Sequence, residues 1–471
     1  MRASQSTGGF SMPLAREASN RGVETAADTG SMVFVYLVSL VAAVGGLLFG
    51  FDTAVISGAI GFMKAQFHLD ASQEGFVASS ALIGCVLGAF VAGAMSDRFG
   101  RKRVLFLSGV FFAISALGAA LPRNMTEFVI ARIIGGLGIG AASLVSPLYI
   151  AELAPAKRRG GLVSLNQLAI ISGILVAYLV DWLCARGFGP ETSWRWMFGS
   201  GAAPAFLLMG LLVLVPESPR WLTKQGRPEE ALEILRRIGG RNHADVEMRE
   251  IQDAIQLEGG SLMQLLQPGL RIALLIAVVL AILQQVTGIN TVIYYAPRIF
   301  ENARFARDAA LLSSVIVGIV NAVFTVVAIL QIDRIGRKPL LMIGAAGMGV
   351  SFALAGCAFQ VHATGIWVLT FILVYIASFA VALGPVVWVV ISEIFPTRIR
   401  GRAMGIATVC LWIACYLVSL TFPILVDHFG DSFTFWLYGF MCAVAFVFVW
   451  RVVPETKGRT LEEIEQSWLH R

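Results

Sequence analysis

The stretch Asp97-Arg98-Phe99-Gly100-Arg101-Lys102 returns 236 residues later as Asp333-Arg334-Ile335-Gly336-Arg337-Lys338. Both copies lie between two apolar runs, and other motifs repeat with them. Glu152, followed by Arg159-Gly160, matches Glu393, followed by Arg400-Gly401, at an offset of 241. Pro216-Glu217-Ser218 matches Pro454-Glu455-Thr456 at an offset of 238. Three motifs in one order at nearly one spacing divide the 471 residues into two related halves.

Between the motifs, apolar runs fall near residues 33–60, 76–96, 104–121, 128–150, 161–184 and 194–215. A polar stretch from 216 to 271 follows, then runs near 272–296, 309–332, 340–360, 365–391, 403–426 and 433–453. Crossing the hydrocarbon takes about 20 residues at roughly 1.5 Å each. A soluble core helix would alternate apolar and polar faces, and these runs do not. Only 14% of the residues are charged and 57% are hydrophobic, where a soluble domain carries about 25% charge. The expected fold is an all-α membrane protein with twelve transmembrane helices in two pseudo-symmetric six-helix halves. Six spans per copy give both copies the same topology, a parallel repeat that puts a binding site near the midplane between the halves.

The expected domains are a disordered cytosolic tail (1–31), an N-terminal half (32–215), a linker (216–271), a C-terminal half (272–453) and a cytoplasmic tail (454–471). Leu and Ile at helical spacing predict linker helices from Pro228 to Ile238 and from His243 to Leu257. The first apolar run is some thirty residues long and lacks a small-residue cleavage site, so it reads as a retained span and not a signal peptide. Lys and Arg crowd the loops after spans 2, 4, 8 and 10, which places those loops, the linker and both termini in the cytoplasm.

Several functions are disfavoured. The net charge of +6 comes from short basic clusters between spans, which is topology and not a nucleic-acid surface. The six cysteines form no Cys-x-x-Cys pair and read as small core residues. No Gly-Lys pair supplies a phosphate-binding loop. The five histidines are scattered and no His-Glu-x-x-His occurs. Neither a metal, a cofactor nor an enzymatic activity is expected.

Charges inside spans are costly and are read as functional first. Asp52 lies about 19 residues into span 1, roughly 28 Å from its cytoplasmic end, and Arg132 lies about one turn into span 4. Their depths are compatible with an ion pair, whether proton-coupling or purely structural. At an offset of 238, Gly50 matches Gly288 and Asp52 matches Asn290, so one half has an acid where the other has an amide.

The duplicated Asp-Arg-x-Gly-Arg loops, Pro216-Glu217-Ser218-Pro219-Arg220, Gln284-Gln285-Val286-Thr287-Gly288-Ile289-Asn290 and Pro454-Glu455-Thr456-Lys457-Gly458 form an ordered set. By these motifs the chain resembles the sugar porter family of the major facilitator superfamily, from about residue 32 to 465. It is most similar to bacterial proton-coupled pentose and hexose symporters. The resemblance implies symport of a monosaccharide with a proton by alternating access, in the cell membrane, by a multi-pass protein functional as a monomer in the bilayer. An uncoupled facilitative uniporter for a sugar or inositol is the alternative within transport, and a transporter-like sugar sensor is a more remote one.

A sugar needs amides, which both donate and accept, and an aromatic plate. The resemblance implies that Gln167, Gln284, Gln285, Asn290, Asn321, Trp388 and Trp412 line the sugar site, with Phe49 and Tyr294 nearby. Interhelical bonding would also account for the amides, and interfacial anchoring for the tryptophans. Leu411 and Cys415 stand where relatives often carry amides, which bears on the preferred sugar. The resemblance further implies that Asp52 carries the proton. It also implies that Asp97, Arg98, Arg101, Glu152, Arg159, Glu217, Asp333, Arg334, Glu393 and Arg400 form a salt-bridge network linking the halves. That network would be made when the protein faces outward and broken when it faces inward; a solvated basic face is the alternative.

Overall fold

The computed structural model describes residues 30–155, 158–257, 265, 267, 270–363, 365–395 and 397–457, with only the backbone for Leu257, Asp333, Thr397 and Arg398. The expected disordered tail and most of the C-terminal tail lie outside the described residues.

Ten apolar helical stretches of 20 to 36 residues run from Met32–Phe67 to Ile366–Glu393. An eleventh, Ile399–Arg451, has 53 residues, far more than one crossing needs. Gly430 divides it: φ of +80° and ψ of 166° break the helix there, a conformation glycine adopts without a Cβ clash. The described residues thus form twelve spans, six before the linker and six after. The linker holds the two expected helices, at Pro228–Gly239 and Arg241–Leu257, and a short one at Pro219–Lys224 that sequence periodicity did not reveal. Ser218 caps that short helix by accepting from the Trp221 N–H, with Pro219 at its first position, where a missing N–H costs nothing. The linker is tied to the start of span 1 by Ser31 N–H donating to Arg237 O at 2.9 Å.

Within a bilayer, helices gain little from apolar burial against each other and associate where small residues let backbones approach. Spans 2 (Ala71–Phe99) and 4 (Met125–Leu153) do this. Gly84 and Gly88 of one face Gly136 and Gly140 of the other, so close that a side chain at Gly136 would collide with the backbone at Ala81 and Gly84. The halves meet where Gly75 of span 2 lies against Leu420 of span 11, and where Gly318 of span 8 lies against Leu175 and Tyr178 of span 5.

Spans 7 and 10 are discontinuous. Gly288 interrupts span 7 and Ala382, with φ of −123° and ψ of −86°, interrupts span 10, whereas Val55 in span 1 and Gly201 in span 6 keep right-handed helical dihedral angles. Gly288 has φ of +93°, and the Thr287 carbonyl beside that break accepts from Tyr375 Oη at 2.9 Å. Broken backbone is tolerated at this depth only where protein satisfies it or where it lines a cavity. Gly136→Val should therefore cost at least about 1–3 kcal/mol through overpacking, read as a fall of several degrees in Tm in detergent. An unchanged Tm would show that spans 2 and 4 are not in backbone contact there.

Candidate functional site

Span 1 carries Asp52 and span 4 carries Arg132 to the same level. Arg132 Nη1 is 2.8 Å from Asp52 Oδ1, and Nη2 donates to the Asp52 carbonyl at 3.0 Å. Arg132 is 1% exposed, and its guanidinium lies 5.3 Å over the Phe198 ring. Asp52 Oδ2 is buried without a hydrogen-bond partner. The pair is thus satisfied on one carboxylate oxygen only. Cys85 of span 2, fully buried, sits within electrostatic reach of this pair and of Cys415 on span 11.

The break in span 7 gathers the amides. Gln284 Nε2 donates to Leu383 O at 2.6 Å and Gly384 O at 3.2 Å, just past the break in span 10. Gln285 Nε2 donates to Gln284 Oε1 at 3.4 Å, and Gln285 Oε1 accepts from Asn290 Nδ2. Asn290 Nδ2 also reaches Cys415 Sγ at 3.0 Å, so a sulfur stands as acceptor in the cluster. Phe49 meets Trp412 edge-on across the halves, with centroids 5.5 Å apart. Buried Tyr294 lies beside Cys415 and within electrostatic reach of Arg132, which brings the ion pair and the amide cluster together. Trp412 Nε1 and Asn321 Oδ1 are buried with no protein partner, and such groups are expensive unless a polar ligand or water meets them. Gln167 and Trp388 are half-buried on spans 5 and 10. No hydrogen bond joins either to the cluster among the described residues.

The side of the molecule that bears the linker holds one ionic clasp per half. In the N-terminal half Arg101 Nε and Nη2 bind Glu152 at 2.9 Å each, and Nη1 reaches Asp97 at 3.1 Å. Ser218 Oγ donates to Glu152 at 2.5 Å, and Glu217 accepts from the Arg101 N–H at 2.9 Å. Burial pushes the Glu217 carboxyl above its usual range, against the opposing pull of the Ser218, Lys102 and Arg101 N–H groups and the Arg101 charge. The C-terminal half repeats the pattern with Arg337, Glu393, Thr456 and Glu455. Glu455 is less buried; burial raises its carboxyl, but four backbone N–H donors outweigh that and hold it below the usual range.

The expected network joins the halves only in the outward-facing state. Among the described residues, Arg101–Asp97, Arg101–Glu152 and Arg337–Glu393 each lie within one half. Arg159 pairs instead with Glu247 of the linker at 3.4 Å, and Arg98 stacks over Phe99 at 5.4 Å. Arg400 donates weakly to Phe395 O at 3.4 Å. Arg334 offers its carbonyl to Lys457 Nζ at 2.6 Å. The Asp333 side chain lies outside the described residues. Arg337, which sequence reading did not select, is the one that takes the C-terminal position equivalent to Arg101.

Ionic links between the halves lie on the far side of the molecule, where sequence reading did not look: Arg186 of span 5 binds Asp308 of span 8 at 3.0 Å, and a second link is built on Glu74. Glu74, at the start of span 2, binds Lys64 of span 1 at 2.7 Å and Arg298 of span 7 at 2.5 Å. Glu74 is buried, and the bridge borders a cavity of about 630 Å³ lined by residues of spans 1 and 7. Arg298 stands 224 residues from Glu74, so no local pattern could have paired them.

Two pseudo-symmetric six-helix halves with broken spans and a polar cluster between them define a membrane transporter. The family model described as "Sugar (and other) transporter" matches residues 38–468, and the chain belongs to that family. It is 46% identical over 445 residues to the arabinose-proton symporter of Bacillus subtilis, covering 93% of this chain and 96% of that one. It is 45% identical over 471 residues to the D-xylose-proton symporter of Escherichia coli, covering 92% and 96%. Among solved structures, a partially occluded inward-open conformation of the E. coli xylose transporter superposes with a TM-score of 0.83 at 44% identity, over 91% of this chain and all of that one.

Two outcomes follow from the ionic contacts. Glu152→Gln removes the buried counter-charge of Arg101, whose side chain is 7% exposed opposite a Glu152 side chain 6% exposed, and leaves it only the half-exposed Asp97. Breaking such a buried pair costs about 3–5 kcal/mol. Glu393→Gln should cost less, because the Glu393 side chain is 30% exposed; equal losses of Tm would contradict this ranking. Glu74→Gln should loosen the far side, raising alkylation of a cysteine placed at Ala65 severalfold in a background without other cysteines. An unchanged rate would show that the bridge does not hold the halves together.

Proposed function

We propose that the protein moves a monosaccharide, a pentose or hexose, together with a proton across the membrane by alternating access. The observation that carries this reading is the Asp52–Arg132 pair at 2.8 Å, set beside an amide and aromatic cluster built from both halves. The amides of span 7 offer donors and acceptors to sugar hydroxyls, and the Phe49–Trp412 pair offers a plate for C–H faces. Gln167, Asn321 and Trp388 complete the lining. The two named pentose symporters support the reading, and their substrates head the panel to be tested. The protein acts as a monomer, carries out no enzymatic chemistry and sits in the cell membrane. Its linker side and both termini face the cytoplasm.

On that orientation the Lys64–Glu74–Arg298 bridge closes the outer face, and the arrangement is inward-facing. The two cytoplasmic clasps are then separate. When the outer face opens they come together, and Asp97, Arg98, Arg159, Asp333, Arg334 and Arg400 join the halves. Asp52 carries the proton. Protonation removes the negative charge that holds Arg132, and with it the Coulomb attraction, which is strong where water is excluded. The freed guanidinium allows the sugar-loaded protein to close and reopen inward, where re-forming the pair expels the proton.

Proteoliposomes given radiolabelled arabinose, xylose, glucose, galactose and inositol test this. Accumulation above equilibrium that collapses with a protonophore is the expected result. Equilibration indifferent to the gradient would make the protein a uniporter, and binding without movement would make it a sensor. Asp52→Asn should abolish accumulation while sugar exchange continues; full accumulation by that variant would remove Asp52 from the coupling.

A further inference from the structure

A second acid is buried in the spans of the N-terminal half, and the mechanism above does not use it. Asp181 of span 5 is 2% exposed. Its Oδ2 accepts from the Gly58 N–H of span 1 at 3.0 Å, and its Oδ1 is buried with no hydrogen-bond partner among the described residues. The contact is built to this shape. A Cβ on Gly58 would come within 2.5–2.6 Å of the Asp181 carboxyl and its methylene, so only glycine lets span 1 approach so closely.

Asp52 and Gly58 lie on the same span, three residues to either side of Val55, which is itself in helical conformation. They are therefore separated by roughly 9 Å along the helix. Gly58 and its neighbour Ser57 also line the far-side cavity of about 630 Å³. Asp181 thus lies directly behind the wall of that cavity, at the level between its water-accessible mouth and Asp52.

No cation is paired with Asp181 among the described residues. Its ionisable electrostatic neighbours are Tyr178 and Cys184 of its own span. Tyr178 is engaged with the Ile293 carbonyl at 2.8 Å. From span 1 the nearest ionisable side chains are Asp52, held by Arg132, and Lys64, held by Glu74. From span 8, Asp308 is taken up by Arg186 at 3.0 Å. From the first helix of span 6, Arg195 donates to the Ala120 and Pro122 carbonyls, and Glu191 is exposed at the helix start. A carboxyl buried in a span without a counter-ion marks a proton pathway more often than a structural tie.

We propose that Asp181 is a second proton-holding carboxyl, standing between the far-side cavity and Asp52, which sets how proton-driven uptake responds to pH on that side. It takes a proton from water in the cavity and becomes a neutral acid. It returns that proton to water when the wall at Ser57 and Gly58 opens towards Asp52. This rests on the coupled reading above. The single backbone bond to Gly58 holds the carboxyl in place in either form, because the acid retains a carbonyl oxygen to accept it.

Asp181→Asn separates chemistry from structure, since the amide oxygen still accepts from Gly58 but the group holds no exchangeable acidic proton. The experiment is sugar accumulation in proteoliposomes as a function of pH on the far side, with exchange measured in parallel to show that the variant is folded and binds sugar. A shift of threefold or more in the proton concentration giving half-maximal uptake is expected. A profile that overlays the wild type would overturn the inference and leave Asp181 as a backbone acceptor. Should that variant fail to assemble, Gly58→Ala decides, because it displaces the carboxyl without removing it: a shifted half-maximum supports the role and an unmoved one overturns it. If the wild type itself accumulates no sugar, the coupled reading has failed, which is a separate outcome.

Discussion

A charge taken into hydrocarbon must meet an opposite charge or a set of hydrogen bonds, and the Asp52–Arg132 pair meets that requirement inside the spans. The 2.8 Å contact joins spans 1 and 4. Breaking it by moving one helix would leave an uncompensated buried charge, a cost of several kcal/mol. Neutralising the acid removes that cost. Span 1 also supplies Phe49, which touches Trp412 of the other half. The ion pair and the aromatic contact across the halves are thereby carried on a single helix.

The same requirement organises the linker side, with a different result. Duplication gives each half an arginine clamped by a glutamate, with a second glutamate receiving the N–H groups at the following helix start. These clasps sit near water and hold each half rigid as a body. Their burial differs, so the two copies are chemically alike and energetically unlike. Rigid halves with a polar seam between them are suited to rocking about a fixed site, and ionic ties cross the seam at Glu74–Arg298 and at Arg186–Asp308.

The breaks in the spans are where backbone polarity becomes useful. Gln284 donates to carbonyls just past the break in span 10, so the discontinuities of spans 7 and 10 are fastened to one another. Asn290 and Gln285 then face the seam with partly used hydrogen-bonding capacity. Cys415, where an amide would offer both a donor and an acceptor, gives Asn290 a weak sulfur acceptor, and buried Leu411 adds an apolar surface. That edge of the cluster is consequently less polar than the span 7 edge.

Span number, the two-fold repeat and the identity of Asp52, Arg132 and the span 7 amides were legible in the sequence. Each rests on a local signal: a run of apolar residues, a duplicated motif, or a charge where charges are costly. Gly430 shows how little structure was needed, since the apolar runs on either side of it already implied two spans inside one 53-residue helix. Pairing over long distances was not legible. The Lys64–Glu74–Arg298 bridge, Asp181 against Gly58, and the confinement of the Arg101 and Arg337 clasps to their own halves depend on which helices lie side by side. A charge at a helix end reads the same whether its partner belongs to its own half, the other half or the water. Only the tertiary structure decides among these, because close approach is set by glycine contacts and broken helices brought together from distant parts of the chain.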